Sequence, residues 1–188
     1  MEEKINLFFR NYVCIPIGRW LAKKGVPPNN ITLFGLFLSV AAALLTVIFG
    51  LFVGAFAVAV SALPDAFDGE VARAGNNTTN FGSFLDDVTD RFGESFYFIA
   101  IYLLQASLAV LVAGISSILV SYSKASAGRW GFELSSGKAM GRPGRIILLA
   151  VLMLASPWLA ISQTLWLVVA LNLFIFFKRF YEVYRQKD

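Results

Sequence analysis

Histidine is absent from this chain of 188 residues, and cysteine occurs once, at Cys14. The first absence excludes His-based catalytic triads and leaves Asp, Glu, Lys, Tyr or water for any acid–base step. A single thiol forms no internal disulfide, and one Cys without His builds no zinc site. Charge is scarce as well. Charged residues make up 15% and hydrophobic residues 57%, against about 25% and about 45–50% in ordinary globular domains. This balance excludes a disordered chain and a disulfide-stapled miniprotein.

The few charges are clustered, and the gaps between them are long. None occurs in the 40 residues from Gly25 to Pro64, the 29 from Ser95 to Ser123, or the 32 from Ile146 to Phe177. A membrane-spanning helix needs about 20 predominantly apolar residues. The gaps therefore predict an all-α membrane protein with six transmembrane helices in three hairpins, near 31–49, 52–75, 81–104, 106–126, 142–160 and 162–183. The outer turns Phe49–Gly54, Gln105–Ser107 and Ser156–Gln163 carry no charge, so all 16 Lys and Arg fall on one side. The positive-inside bias places that side, with both termini, in the cytoplasm of a multi-pass cell-membrane protein. The net charge of +4 then reflects topology and attraction to the membrane surface, with no call for nucleic acid.

Residues 4–24 mix Ile5, Leu7, Phe8, Phe9, Tyr12, Val13, Ile17, Trp20 and Leu21 with Arg10, Arg19, Lys23 and Lys24. This pattern predicts an amphipathic juxtamembrane helix lying in the interface. It lacks the clean apolar core and small-residue cleavage site of a signal peptide. The break Gly25-Val26-Pro27-Pro28-Asn29-Asn30 turns the chain into the bilayer. Residues 1–188 read as one domain, with a six-helix bundle over 31–183.

Acidic residues stand where they are costly. The apolar run Leu51–Leu63 covers only about 20 Å of helix at about 1.5 Å per residue, short of a hydrocarbon core of roughly 30 Å. Asp65 and Asp68 therefore fall at membrane depth, as do Asp90 and Glu94 counted from the outer end of the third helix. Insertion scales charge about 2.5–3.5 kcal/mol for such a residue, and the residues that persist there usually mark function. Asp65, Asp68, Gly69, Ala72 and Arg73 are related by steps of three and four and share a helical face. Gly82, Asp86 and Asp90 share a face of the next helix. Two helices joined by a short loop bring four carboxylates to a common point. Unpaired, they repel; a divalent cation, or two, resolves the conflict, and all-oxygen ligands favour Mg²⁺ or Mn²⁺. Gly69, Ala72 and Gly82 leave room for a substrate or serve close helix packing. Pro64 removes a helical hydrogen bond beside the first Asp, and Arg73 suits a phosphate. Asp87, Glu70 and Glu94 read equally well as packing or ion-pair residues.

The pattern Asp65-x2-Asp68-Gly69-x2-Ala72-Arg73-x8-Gly82-x3-Asp86-x3-Asp90 resembles, position for position, the signature of the CDP-alcohol phosphotransferases. The six-helix layout and the amphipathic N-terminal helix resemble that family too. The resemblance implies a phospholipid-synthesis enzyme that displaces CMP from a CDP-lipid donor with a small alcohol acceptor. It implies that Asp65, Asp68, Asp86 and Asp90 hold two divalent cations, Mg²⁺ or Mn²⁺. It further implies that Gly69, Ala72, Arg73, Thr79 and Gly82 contact the CDP moiety, that Asp90 takes the acceptor's proton, and that the enzyme is a homodimer.

For the acceptor, the second inner region offers Lys124, Arg129, Lys138, Arg142 and Arg145. Basic groups beside the start of the fifth helix suit a phosphorylated alcohol, and they also serve topology. Ser121-Tyr122-Ser123-Lys124-Ala125 and Arg142-x2-Arg145 before Ile-Ile-Leu-Leu resemble the branch of phosphatidylinositol-phosphate and archaetidylinositol-phosphate synthases. That resemblance implies inositol 1-phosphate as acceptor, its phosphate held by Lys124, Arg142 and Arg145. The chain departs from the branch at Ser126, where Arg is usual, and at Gly141 and Gly144, where Glu is usual. Glycerol 3-phosphate and serine remain alternative acceptors. An ion- or proton-coupled transporter, or a non-catalytic assembly protein, is the alternative of a different class.

Overall fold

The computed structural model describes residues 10–134 and 141–186. Among these, a π-helical turn at Arg10–Cys14 leads into α1 (Ile15–Lys23), followed by α2 (Pro28–Phe49), α3 (Leu51–Ser61), α4 (Leu63–Ala74), α5 (Asn80–Leu104), α6 (Leu108–Arg129), α7 (Arg142–Leu154) and α8 (Ile161–Arg185). No strand occurs among the described residues.

The breaks follow local chemistry. Gly25 takes φ of +73°, a region open to glycine, and Pro28 then starts α2 in the first turn, where its missing N–H is not needed. Gly50, at φ of +86°, is the entire connection between α2 and α3. Thr79 and Ser107 cap α5 and α6, their hydroxyls accepting from the amides of Gly82 and Val110.

The second expected span, 52–75, is two helices, α3 and α4, interrupted at Ala62 two residues before Pro64. The expected fifth span, 142–160, is shorter: α7 stops at Leu154, ahead of Pro157, and turns fill 155–159. The fourth begins at Leu108 and runs on to Arg129, past the expected 106–126. Within the expected 4–24 helix, 10–23 is helical, while 4–9 lies outside the described residues, as does Lys138.

Among the described residues, four segments are long and apolar enough to cross a membrane: Pro28–Phe49, Leu51–Ala74, Leu108–Arg129 and Ile161–Arg185. α5 matches them in length but carries Asp86, Asp87, Asp90, Arg91 and Glu94 within its first fifteen residues; α7 has only 13 residues. The distribution of side chains is that of a membrane protein. Phe37, Leu103, Leu167 and Phe174 are each about two-thirds exposed, whereas Ala42, Ala55, Ala100 and Ala113 are buried. Large apolar groups face outward across a wide surface, and small ones let the helices approach.

The helices close a ring. α2 packs on α3, α4 and α5; α5 meets α6, α6 meets α8, α8 meets α7, and α7 returns to α3. α2 and α3 lie so close that a Cβ on Gly54 would collide with Thr46 Oγ1. Polar ties cross the interior. The Tyr97 hydroxyl, on α5, lies 2.8 Å from Ser39 Oγ on α2 and 2.7 Å from Ser61 Oγ on α3. Asn172 on α8 is fully buried and donates to Ser116 and Ser117 of α6. Such bonds link helices where no water competes for the same groups. The short α4, the charged half of α5 and the start of α7 meet at one end of the ring, and the conspicuous polar chemistry collects there.

Candidate active site

α4 and α5 supply the carboxylates. Their connection turns at Gly75-Asn76, where Asn76 takes φ of +52°, a conformation Asn tolerates. The turn brings Asp65 and Asp68 of α4 opposite Asp86 of α5, and one oxygen from each lies within 4.8 Å of the others. Asp68 is buried and accepts a 2.7 Å hydrogen bond from Thr32 Oγ1 of α2. Asp86 Oδ1 is buried without a hydrogen-bond partner. Three converging oxygen donors, one anchored from outside and one with free lone pairs, fit a hard divalent cation.

Asp90 lies one helical turn beyond Asp86 and meets a different partner. Arg142, at the start of α7, places Nη1 2.5 Å from Asp90 Oδ1 and 3.1 Å from Asp65 Oδ2. The residue expected to serve the acceptor thus touches two of the four expected metal ligands. Beside this corner Gly93 lets α5 press close to α2, since a Cβ there would meet Ser39 Oγ at 2.8 Å.

Two cavities flank the carboxylates. The larger, of about 210 Å³, is lined by Gly69, Ala72, Arg73, Thr79 and Gly82, together with Asp68, Asp86, Thr32, Pro28, Asn29 and Asn77. It therefore gathers every residue that the family resemblance links to the CDP moiety. A Cβ on Gly82 would crowd Thr79 Oγ1 at 3.1 Å and Asn29 Oδ1 at 3.2 Å, so the small residue keeps the wall flat. The smaller cavity, about 80 Å³, contains Lys124, Arg142 and Arg145 and also Arg91, Arg179, Asp87, Asp90, Glu94 and Ser121. Five basic groups against three acidic ones make it a place for an anion. Between the two cavities runs a narrow cleft walled by Asp65, Asp68, Asp86, Asp90 and Arg142. Asp68 and Asp86 border the larger cavity as well; Asp90 and Arg142 border the smaller.

The remaining acids of α4 and α5 have partners of their own. Glu70 pairs with Arg10 and Arg73, Asp87 with Arg91 at 3.0 Å, and Glu94 with Arg145 at 3.4 Å. Arg145 is buried and also donates to Ser121 Oγ at 2.6 Å. Three participants escaped the sequence reading. Thr32 holds Asp68 but looks like any hydroxyl in an apolar helix. Arg91 and Arg179 line the anion cavity, yet in sequence they resemble ordinary topology charges. Arg179 is buried, donating to the Val120 carbonyl at 2.5 Å.

Known proteins share this architecture. The family model for CDP-alcohol phosphatidyltransferase matches residues 26–177. The archaetidylinositol phosphate synthase of Pyrococcus horikoshii is 30% identical over 174 residues, covering 92% of this chain and 91% of that protein. The crystal structure of Mycobacterium tuberculosis phosphatidylinositol phosphate synthase with CDP-DAG bound superimposes with a TM-score of 0.79 at 29% identity, covering 92% of this chain and 94% of that one. The same enzyme in complex with manganese and citrate gives a TM-score of 0.78 at 29% identity over 92% and 89% of the two chains. The chain belongs to the CDP-alcohol phosphatidyltransferase family.

Proposed function

We propose that this enzyme transfers the phosphatidyl-type group of a CDP-lipid to inositol 1-phosphate and releases CMP. The observation that carries the reading is the carboxylate cleft that links two cavities, sharing Asp68 and Asp86 with one lined by the CDP-signature residues and Asp90 and Arg142 with the other, rich in basic groups. The names of the similar synthases favour the phosphorylated inositol.

In this reading the CDP moiety lies against Gly69, Ala72 and Gly82, with Thr79 and Arg73 at its edges. Arg73 donates to the diphosphate, a geometry guanidinium suits. Lys124, Arg142 and Arg145 receive the acceptor's phosphate. Asp90, on the wall between the cavities, takes the proton of the attacking hydroxyl. That oxygen bonds to the β-phosphorus, the bond from that phosphorus to the bridging oxygen breaks, and CMP leaves with the bonding electrons. Two divalent cations, Mg²⁺ or Mn²⁺, held by Asp65, Asp68, Asp86 and Asp90, would neutralise the diphosphate. Positioning and electrostatics supply most of the catalysis in such transfers.

The reading extends to the membrane. α2, α3 with α4, α5, α6, α7 with its following turn, and α8 make six spans, and α1 lies in the interface. The basic residues gather on the active-site side, which faces the cytoplasm with both termini, so the donor enters from the inner leaflet. The functional unit is a homodimer, as the family resemblance implies.

Product analysis tests the acceptor. Purified enzyme with CDP-diacylglycerol or CDP-archaeol is offered inositol 1-phosphate, glycerol 3-phosphate, serine or free inositol, and lipids are identified by mass spectrometry. The expected product is a phosphoinositol lipid carrying an extra phosphate. A product formed only from another alcohol overturns the acceptor assignment.

A further inference from the structure

Glu70 lies on α4 beside the donor cavity but does not line it. It is buried, and its carboxylate binds two guanidinium groups at once. Oε1 accepts from Arg73 Nη2 at 2.9 Å and from Arg10 Nε at 2.7 Å, and Oε2 accepts from Arg73 Nε at 3.4 Å. Arg73 lines the donor cavity; Arg10 belongs to the π-helical turn ahead of α1, 60 residues away in sequence. The bridge rests on a close helix contact. A Cβ on Gly18 of α1 would meet Glu70 Cβ at 2.7 Å, so the N-terminal segment seats directly on the back of α4.

We infer that Glu70 and Arg10 are positioning residues for the donor site, acting through Arg73 and tying the N-terminal segment to recognition of the diphosphate. The inference rests on the donor reading above. The guanidinium has five N–H donors in a rigid fork. Glu70 takes its Nε edge and one Nη2 proton, which leaves the Nη1 side for a ligand. The fork is folded over α4, since Nη2 and Nη1 lie 3.2 and 3.4 Å from where a Cβ of Gly69 would stand. A half-exposed arginine would otherwise sweep through many rotamers, and ordering it on binding weakens affinity. Charge gives Arg10 its part. Its guanidinium charge holds the Glu70 carboxylate in place, so that Glu70 keeps its grip on Arg73.

The test is the affinity for CDP, measured by titration calorimetry of the full-length protein in detergent with Mg²⁺. Glu70→Gln and Arg10→Gln should each weaken CDP binding severalfold, and Arg10→Lys should restore it, because Lys keeps the charge. In an Arg73→Gln background neither change should weaken binding further. With substrate, the KM for the CDP-lipid should rise while the KM for the acceptor stays. A purely structural role predicts otherwise: effects that add to Arg73→Gln, with no rescue by Lys. Arg10 is half-exposed, so its variants keep the fold even where Glu70→Gln does not. Wild-type affinity in Arg10→Gln, or additive losses, overturns the inference and leaves the donor reading standing. A wild-type protein that binds no CDP overturns both.

Discussion

In the proposed mechanism the chemistry turns on Asp90. It borders both the carboxylate cleft and the anion cavity, and Arg142 fixes its Oδ1. Changing it to Asn keeps the shape and removes the base. The expected loss in turnover is roughly 10²-fold or more, within the range of general acid–base catalysis. Steady-state CMP release from a folded variant measures it, and near wild-type turnover would remove Asp90 from this role. Thr32 makes a quieter contribution, holding Asp68 through a 2.7 Å hydrogen bond. Outer contacts of this kind are worth about 10–100-fold in metal affinity. Thr32→Val should therefore weaken Mn²⁺ binding by that order in an electron-paramagnetic-resonance titration, without loss of helix content.

Tyr97 shows how helices are tied together. Its hydroxyl joins α2, α3 and α5 at a single buried point. Tyr97→Phe should lower the midpoint of thermal unfolding in detergent by the equivalent of about 0.6–1.7 kcal/mol, the range for interhelical hydrogen bonds in membranes. The elements themselves were largely legible in the sequence. Charge-free runs outlined the helices, because lipid excludes charge over a fixed length. Spacing by three and four put Asp65 with Asp68, and Asp86 with Asp90, because helix geometry fixes which residues share a face. The pairing of Arg142 with Asp90 was not legible. It depends on how α7 registers against α5, and local spacing says nothing about register between helices. For the same reason Arg91 and Arg179 passed for topology charges, and Glu70 gave no sign that it bridges to Arg10. Proline accounts for both the break before Pro64 and the early end of α7 ahead of Pro157, but the long charge-free run hid the second, since charge spacing carries no signal of where a helix stops.

The whole molecule places a polar reaction at one end of an apolar ring. The proposed orientation in the membrane rests on the basic residues, and cysteine labelling checks it. The natural thiol, Cys14, is buried, so a Cys14→Ser background suits introduced probes. Gln105→Cys, in the turn between α5 and α6, should react with an impermeant maleimide added outside intact cells. Arg129→Cys should react only after the membrane is opened. The reverse pattern would invert the topology and put the active site on the wrong side for a cytoplasmic nucleotide. Transfer between two bound substrates separates an enzyme from a carrier, and it has a direct readout. CMP release from CDP-lipid by the purified protein, with and without inositol 1-phosphate and with Mg²⁺ or Mn²⁺ supplied or chelated, measures it. The proposed transfer yields CMP only when donor, acceptor and cation are all present. CMP formed without acceptor or without cation, or none from a folded protein that moves ions across proteoliposomes, would contradict it.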